Sequence, residues 1–227
     1  IKPEGGLIVK TNGFNAIDSY QKTKGSYIIN EEGNLNATAQ IYSGGIQYDN
    51  RVFLSRVKDE KELHKSYKNK FNWIGNLNIK SLEINDNRDK IEFLENISFS
   101  ASNYCNKAGN SIYFTINVFN KNENIPDKYR NRKNDFVIKR GYHDLDEIEI
   151  TIPQTFEIEF LPEKVVLETE FGSYSIDIKK LEDGSLVYTR SLIIKEGNFS
   201  KDKYESYRDF REKIAKNDNL KIVLIEK

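Results

Sequence analysis

The chain has 227 residues, of which 37% are hydrophobic, 12% aromatic and 31% charged, with 35 Lys and Arg residues against 35 Asp and Glu residues. Nucleic-acid-binding domains normally carry a basic excess that meets the phosphate charge, so this balance argues against a nucleic-acid partner. No apolar run approaches the ~20 residues of a membrane-spanning helix, so we expect no membrane span. The aromatic content indicates a packed interior rather than a disordered chain.

We expect this chain to be part of a longer protein, because the sequence begins at Ile1 and contains no methionine. Residues 1–23 contain Gly5-Gly6 and one short apolar run, Leu7–Val9, which is typical of a linker from a preceding domain. We expect residues 24–227 to form the folded domain. The sequence leaves open whether this domain is divided into two subdomains near residues 58–76.

Most of the chain from Lys24 onward alternates apolar and polar residues, as half-buried β-strands do. Turn sequences at 31–34, 85–87 and 182–185 predict three β-hairpins. Many short strands at close spacing favour a mainly β domain, an antiparallel β-sandwich, that ends in a strand over 220–225.

Two segments have helical periodicity instead. Residues 58–74 and 202–216 each carry one apolar stripe on an otherwise charged surface, which predicts two amphipathic helices. Asp202 and Glu205 have the spacing of a capping box, which predicts that the second helix begins at Asp202.

A long polar segment, residues 120–135, is the first candidate binding surface. It brings Tyr129 close in sequence to Arg130, Arg132 and Lys133, and basic residues beside an aromatic ring suit a phosphate or a glycan carboxylate. Long loops in compact domains are often functional. The alternative is a solvated loop without a ligand.

Exposed tyrosines are the second candidate, because aromatic faces suit the apolar side of a sugar ring. Tyr42 and Tyr113 are the binding candidates here, with Tyr48, Tyr104 and Tyr142 as further members of a stacking platform. The alternative is that β-sheets recruit tyrosine for its strand propensity.

Cys105, His143 and Asp144 or Asp146 follow one another in the order of a Cys-His-Asp catalytic triad. A nucleophilic thiolate usually needs a helix N-terminus or a neighbouring histidine, and an alternating strand rather than a helix follows Cys105. We therefore predict no catalytic residues. With one cysteine and two histidines in the chain, we also predict no metal site and no cofactor. The acids at 147, 149, 157 and 159 alternate as they do on the wet face of a sheet.

The order of several motifs resembles a known family, the β domain of unknown function that follows the papain-like core of bacterial transglutaminase-like proteins. The motifs that carry this resemblance are the hairpin 28–33, Gly44 and Arg51, the segments 146–153, 156–162 and 171–174, the helix residues Tyr207, Phe210 and Ile214, then Asp218 and the strand 222–225. The resemblance implies a periplasmic or cell-surface protein with a transglutaminase-like core upstream. The family's catalytic Cys-His-Asp site belongs to that core, so the resemblance assigns no catalytic residue here.

These observations predict a non-catalytic accessory domain, the C-terminal part of an exported transglutaminase-like protein, which packs on the upstream core as its partner. The alternative is a β-sandwich module that binds a glycan or a peptide on a sheet face or at the loop 120–135. An independent enzyme that uses Cys105 is the third possibility.

Overall fold

A computed structural model of the chain describes Gly5 and residues 13–227. The short apolar run Leu7–Val9 of the predicted linker lies outside the described residues. The first strand begins at Tyr20, so the fold starts four residues before Lys24, the predicted start. The periodicity does not reveal this, because the inward residues at this end of the strand, Gln21 and Thr23, are polar.

The described residues form fourteen strands. In chain order they are β1 (Tyr20–Ile29), β2 (Leu35–Gly44), β3 (Leu77–Asn87), β4 (Glu92–Ala101), β5 (Asn106–Ala108), β6 (Ser111–Thr115), β7 (Phe136–Ile138), β8 (Tyr142–Thr151), β9 (Phe156–Phe160), β10 (Val165–Thr169), β11 (Gly172–Lys180), β12 (Leu186–Ile194), β13 (Gly197–Phe199) and β14 (Lys221–Glu226). The prediction of a mainly β, sandwich-like domain with a C-terminal strand is confirmed.

The strands form a large sheet of eight, a sheet of four and a two-stranded ribbon. The large sheet has the order β10-β11-β12-β8-β1-β2-β4-β3, the four-stranded sheet has the order β5-β6-β14-β9, and β13 pairs with β7. Strands on both sides of residues 58–76 pair in the large sheet, because β2 is hydrogen-bonded to β4.

One pairing departs from the expected antiparallel arrangement: β1 and β8 run parallel. A parallel pair needs a long crossover connection, and here more than a hundred residues separate the two strands. A hairpin signal could not predict this pairing, which joins the two halves of the large sheet.

Three α-helices are present among the described residues: α1 (Ile46–Asp49), α2 (Glu60–Lys70) and α3 (Tyr204–Asp218). The helix predicted over 58–74 is shorter at both ends. Asp59 caps its start by accepting a hydrogen bond from the Lys61 amide. Its end is at Lys70, since Phe71 leaves the helical conformation and its ring packs on Phe99, 5.4 Å away between centroids.

The second predicted helix, over 202–216, is displaced, and the capping box at Asp202 is wrong. A 3-10 turn precedes α3, and the Ser200 side chain accepts its capping hydrogen bond from the Asp202 amide. The helix continues to Asp218, whose carboxylate is bound by side chains of the large sheet.

The core lies between the inner face of the large sheet and the four-stranded sheet. Tyr27 of β1 meets Phe114 of β6 edge to face, with 6.3 Å between ring centroids. The Tyr27 hydroxyl also donates to the Ile116 carbonyl at 3.1 Å. Phe210 and Ile214 of α3 are buried in the same core. The two sheets therefore hold each other by aromatic packing and by a buried hydrogen bond.

Candidate functional site

Cys105 and His143 lie at opposite ends of β1. The Cys105 amide donates to the Gly33 carbonyl in the turn that follows β1, whereas His143 is the register partner of Tyr20, the first residue of β1. A strand of this length spans ~30 Å at ~3.3 Å per residue. The triad order in the sequence therefore does not correspond to a cluster in space.

The Cys105 thiol is buried, and burial raises its pKa to about 12. The thiolate is the reactive form, so we expect iodoacetamide at pH 8 to leave Cys105 unmodified in the folded protein and to modify it readily in denaturant. Intact-mass measurement over time checks this. A Cys105→Ser chain carrying Thr189→Cys, on an exposed strand position, is the reactive control. Complete labelling of native Cys105 within minutes would contradict the burial.

The loop 120–135 contacts the start of α3 through Asp127, Tyr129 and Arg132, although most of the loop is exposed. The Arg132 guanidinium lies over the Tyr204 ring, 4.2 Å from its centroid, and also faces Tyr129. The Tyr204 hydroxyl donates to the Asp127 carbonyl at 2.8 Å. Of the predicted binding residues, Tyr129 and Arg132 are brought together, and Arg130 and Lys133 are exposed beside them. Arg132 already has aromatic partners within the chain, so the loop is a folded part of the domain.

The predicted tyrosine platform is not assembled. Tyr42 lies on the outward face of β2 in the large sheet, whereas Tyr113 lies on the outward face of β6 in the four-stranded sheet. Tyr48 is buried, and the Tyr104 hydroxyl donates to the Thr115 carbonyl. Tyr142 accepts a hydrogen bond from Asn122. The rings therefore do not share one exposed surface.

The most extensive candidate surface is the face of the large sheet that points away from the core, named the outer face below. Because side chains alternate along each strand, register aligns one polar residue from each of seven neighbouring strands in a single row. In order from β11 to β3, this row is Asp177, Thr189, Glu147, Lys24, Gln40, Asn96 and Glu83.

Two depressions of about 430 Å³ and about 450 Å³ lie on the outer face, and both are lined by Lys24. The first is also lined by Lys22, Lys164 and Asp177, and the second by hydroxyl and amide side chains such as Gln40. Together their linings carry charged groups of both signs beside hydroxyl and amide groups. Such a surface can bind a polar partner by hydrogen bonds and ion pairs.

Hydroxyl groups on the outer face already pair across strands. Ser26 and Thr38 are 3.2 Å apart between side-chain oxygens, and Ser81 and Ser98 are 2.6 Å apart. Glu147 and Glu149 are exposed on the outer face, which confirms the wet-face interpretation for these two acids. Of the predicted binding residues, Tyr42 lies on this face, next to Lys22 in the sheet register.

A buried ionic cluster, named the Arg190 cluster, lies on the inner face directly behind the first depression. Arg190 Nε and Nη2 donate to the two Asp218 oxygens at 2.7 and 2.8 Å, and Nη1 donates to Asp146 at 2.9 Å. The Tyr174 hydroxyl and the Asn122 amide also donate to Asp218. The cluster joins the large sheet, the end of α3 and the start of the loop 120–135.

Asp144 extends this cluster along the next row of the inner face. It accepts a hydrogen bond from Gln47 at 2.7 Å and lies 4.0 Å from Arg190. Burial raises its pKa to about 6, and burial also raises the pKa of Asp146. Sequence reasoning missed this cluster, because alternation shows which residues share a face but not that charged residues face inward.

A second buried ion group lies in the other half of the large sheet, around Glu95 of β4. The Glu95 side chain is fully buried. Arg51 makes a bidentate ion pair with it, Lys70 is 3.3 Å away, and Tyr67 donates a hydrogen bond. Burial acts to raise the pKa of Glu95, but the charges of Lys70 and Arg51 prevail and hold it at about 2. Burial lowers the pKa of Lys70 to about 8.

Among the described residues, no three His, Cys, Asp or Glu side chains are placed to hold a metal ion. The helices in this part of the chain are too short or too polar to cross a membrane.

The fold and the outer face define a mainly β, sandwich-like domain with an extensive polar surface. A family described as a domain of unknown function with solved structure, DUF3858, matches residues 110–224, just over half of the chain. The chain belongs to this family. The matched segment includes Asp144, Asp146, Arg190 and Asp218. The charged residues of the Arg190 cluster therefore all lie in the part of the chain that matches the family.

No curated protein sequence matches the chain. A crystal structure from Parabacteroides distasonis, described as that of a candidate protease, is similar to 44% of this chain at 14% identity with a TM-score of 0.38. The similar region spans 19% of that protein. A TM-score this low is not evidence of a shared fold.

Proposed function

We propose that this domain is a non-catalytic interaction domain of a larger, exported transglutaminase-like protein, and that its outer face contacts the catalytic core of that protein. The observation that carries the proposal is the outer face itself, a row of polar and charged residues across seven strands. The resemblance of the sequence motifs to domains that follow such a core supports the identity of the partner.

The composition of the outer face fits a contact between domains. Interfaces between domains of one chain are more polar than obligate subunit interfaces. Lys22, Lys24 and Thr189 are exposed there, and the adjacent Glu147 supplies the opposite charge. The Arg190 cluster behind this face binds the end of α3 to the large sheet, and buried hydrogen-bonded networks of this kind restrain a core.

Cysteine footprinting of the longer protein tests the contact. In a Cys105→Ser background, Gln40→Cys and Thr189→Cys place thiols on the outer face, and Lys61→Cys places a control thiol on the exposed side of α2. Peptide-level mass spectrometry then measures the alkylation rate of each thiol in the longer protein and in this domain alone. We expect the outer-face thiols to react at least ~10-fold more slowly in the longer protein, and the control thiol to react at the same rate in both.

Equal rates at all three positions would show that the core does not cover the outer face, and the proposal would fail. Protection of the α2 thiol alone would place the contact elsewhere and would contradict it equally.

A second candidate function, a ligand-binding module, is favoured by the two depressions. Their volumes, about 430 and 450 Å³, lie in the range of ~300–1,000 Å³ that is usual for small-molecule sites. Lys22 and Lys24 would bind a carboxylate of an acidic glycan or peptide. A screen of uronic-acid oligosaccharides and acidic peptides by calorimetry tests this function. Binding that is lost in Lys24→Glu but kept in Lys61→Glu supports it, and no binding in the screen contradicts it.

A further inference from the structure

Strand β10 is one edge of the large sheet. Among the described residues, β10 pairs with β11 on one side and with no strand on the other. Val166, its second residue, has 58% of its surface exposed, while Val165 and Leu167 pack against the core but remain half-buried. An edge strand presents unpaired backbone N–H and C=O groups, which are a template for another strand.

The opposite edge of the same sheet contains a bulge, whereas β10 contains none. The register of β3 shifts between Ile79 and Ser81, and the intervening Lys80 reaches over to Asn36. A bulge and a lysine are two devices that prevent edge-to-edge pairing. By contrast, β10 keeps one continuous register with β11 over all its residues.

The sequence around β10 is complementary to itself in the antiparallel direction. With Val166 opposite the same residue of a second copy, Lys164 falls opposite Glu168, and Val165 falls opposite Leu167. Two cross-strand ion pairs and two apolar pairs result, and opposite charges and β-branched residues in such positions stabilise strand pairing. Shifting the register by one residue breaks this match, because inward and outward side chains exchange faces.

We propose that β10 is a homodimerisation edge, at which two copies of this chain pair β10 to β10 about a two-fold axis at Val166. An interface of this kind uses the same patch on both subunits, as closed two-fold dimers do. The pairing joins two large sheets into one of sixteen strands. Lys164 also lines the first depression, so the outer faces of both copies meet at the axis.

Sedimentation equilibrium of the chain over a range of concentrations tests the edge and its register. We expect a reversible monomer–dimer equilibrium in the unchanged chain. Lys164→Glu and Glu168→Lys each place like charges opposite one another and should raise the dissociation constant at least ~10-fold. The double variant K164E/E168K restores opposite charges and should return the constant to within ~3-fold of the original.

A matched pair of valines provides the control. Val166→Lys puts two ammonium groups at the axis and should abolish the dimer, whereas Val137→Lys, at a valine that is 57% exposed on β7, should not. Circular dichroism and the melting temperature verify that each variant folds. A monomer at all concentrations, a dimer insensitive to Val166→Lys, or a double variant no better than the single variants would overturn the proposal. The dimer does not depend on the proposed contact with the core, so the two proposals can fail separately.

Discussion

Replacing Arg190 with alanine is expected to lower the free energy of unfolding by about 3–5 kcal/mol, because it leaves Asp146 and Asp218 buried without their cation. Both carboxylates are within 2.9 Å of a guanidinium nitrogen, and the guanidinium side chain is fully buried. Solvent cannot replace these hydrogen bonds without opening the space between the large sheet and α3.

Chemical denaturation at pH 7.5 measures this change, with Arg130→Ala as the matched control, since Arg130 is exposed and should cost less than ~0.5 kcal/mol. A triple variant, Arg190→Met with Asp146→Asn and Asp218→Asn, should recover part of the loss. Removing a buried cation together with the two carboxylates that it binds is often much less costly than removing the cation alone. A loss below ~1 kcal/mol in Arg190→Ala would mean that water satisfies the two carboxylates.

The second large effect is an increase in stability upon mild acidification, by about 1 kcal/mol between pH 7.5 and pH 5. The folded pKa of Asp144 is raised by burial to about 6, above its ordinary value of 3.8. The folded state therefore binds a proton in a range where the unfolded chain does not. Stability gained in this way rises as the pH falls through 6 and is complete near pH 4. The raised pKa of Asp146 acts in the same direction.

Unfolding free energies of the unchanged chain and of Asp144→Asn at pH 7.5 and pH 5 isolate this contribution. His143, whose pKa is lowered by burial, opposes the gain, but it is present in both proteins and cancels in the comparison. We expect the unchanged chain to gain about 1 kcal/mol more than the variant. An equal response of both proteins would refute the role of Asp144.

Glu95 determines how the free energy of unfolding changes at still lower pH. Its folded pKa of about 2 lies below the ordinary value of 4.5, so the stability it contributes is present above pH 4.5 and is lost as the pH falls towards 2. Both proteins should therefore lose stability below pH 4.5, whether or not Asp144 is present.

The strands of this fold are largely predictable from the sequence, because alternation is a local signal. The turns predicted at 31–34 and 182–185 are present, but the turn predicted at 85–87 is wrong, since these residues end β3 and the chain turns at 88–91. The Phe156–Phe160 and Leu186–Ile194 strands and the terminal strand agree with their patterns. The start of β1 was missed since Gln21 and Thr23 are polar and yet point inward. The parallel β1–β8 pairing joins segments that are distant in the sequence, so local sequence patterns do not predict it.

The candidate surface was only partly predictable, for a related reason. Tyr42 and the wet-face acids could be placed on a sheet face, but the row across seven strands depends on strand order, which a single sequence does not encode locally. The Arg190 cluster was missed because Asp144, Asp146 and Asp218 become an interior group only when β8 and the end of α3 converge on one arginine of β12.

The parallel pairing of β1 with β8 has a consequence for how the chain acquires its structure. The two central strands of the large sheet are separated by more than a hundred residues. During synthesis, β1 therefore lacks its β8 partner until much of the remaining chain has been made. Contacts between such distant segments slow folding. A fragment restricted to residues 110–224 would also leave one side of β8 bare, and its inward carboxylates would have lost the neighbouring strand that shields them.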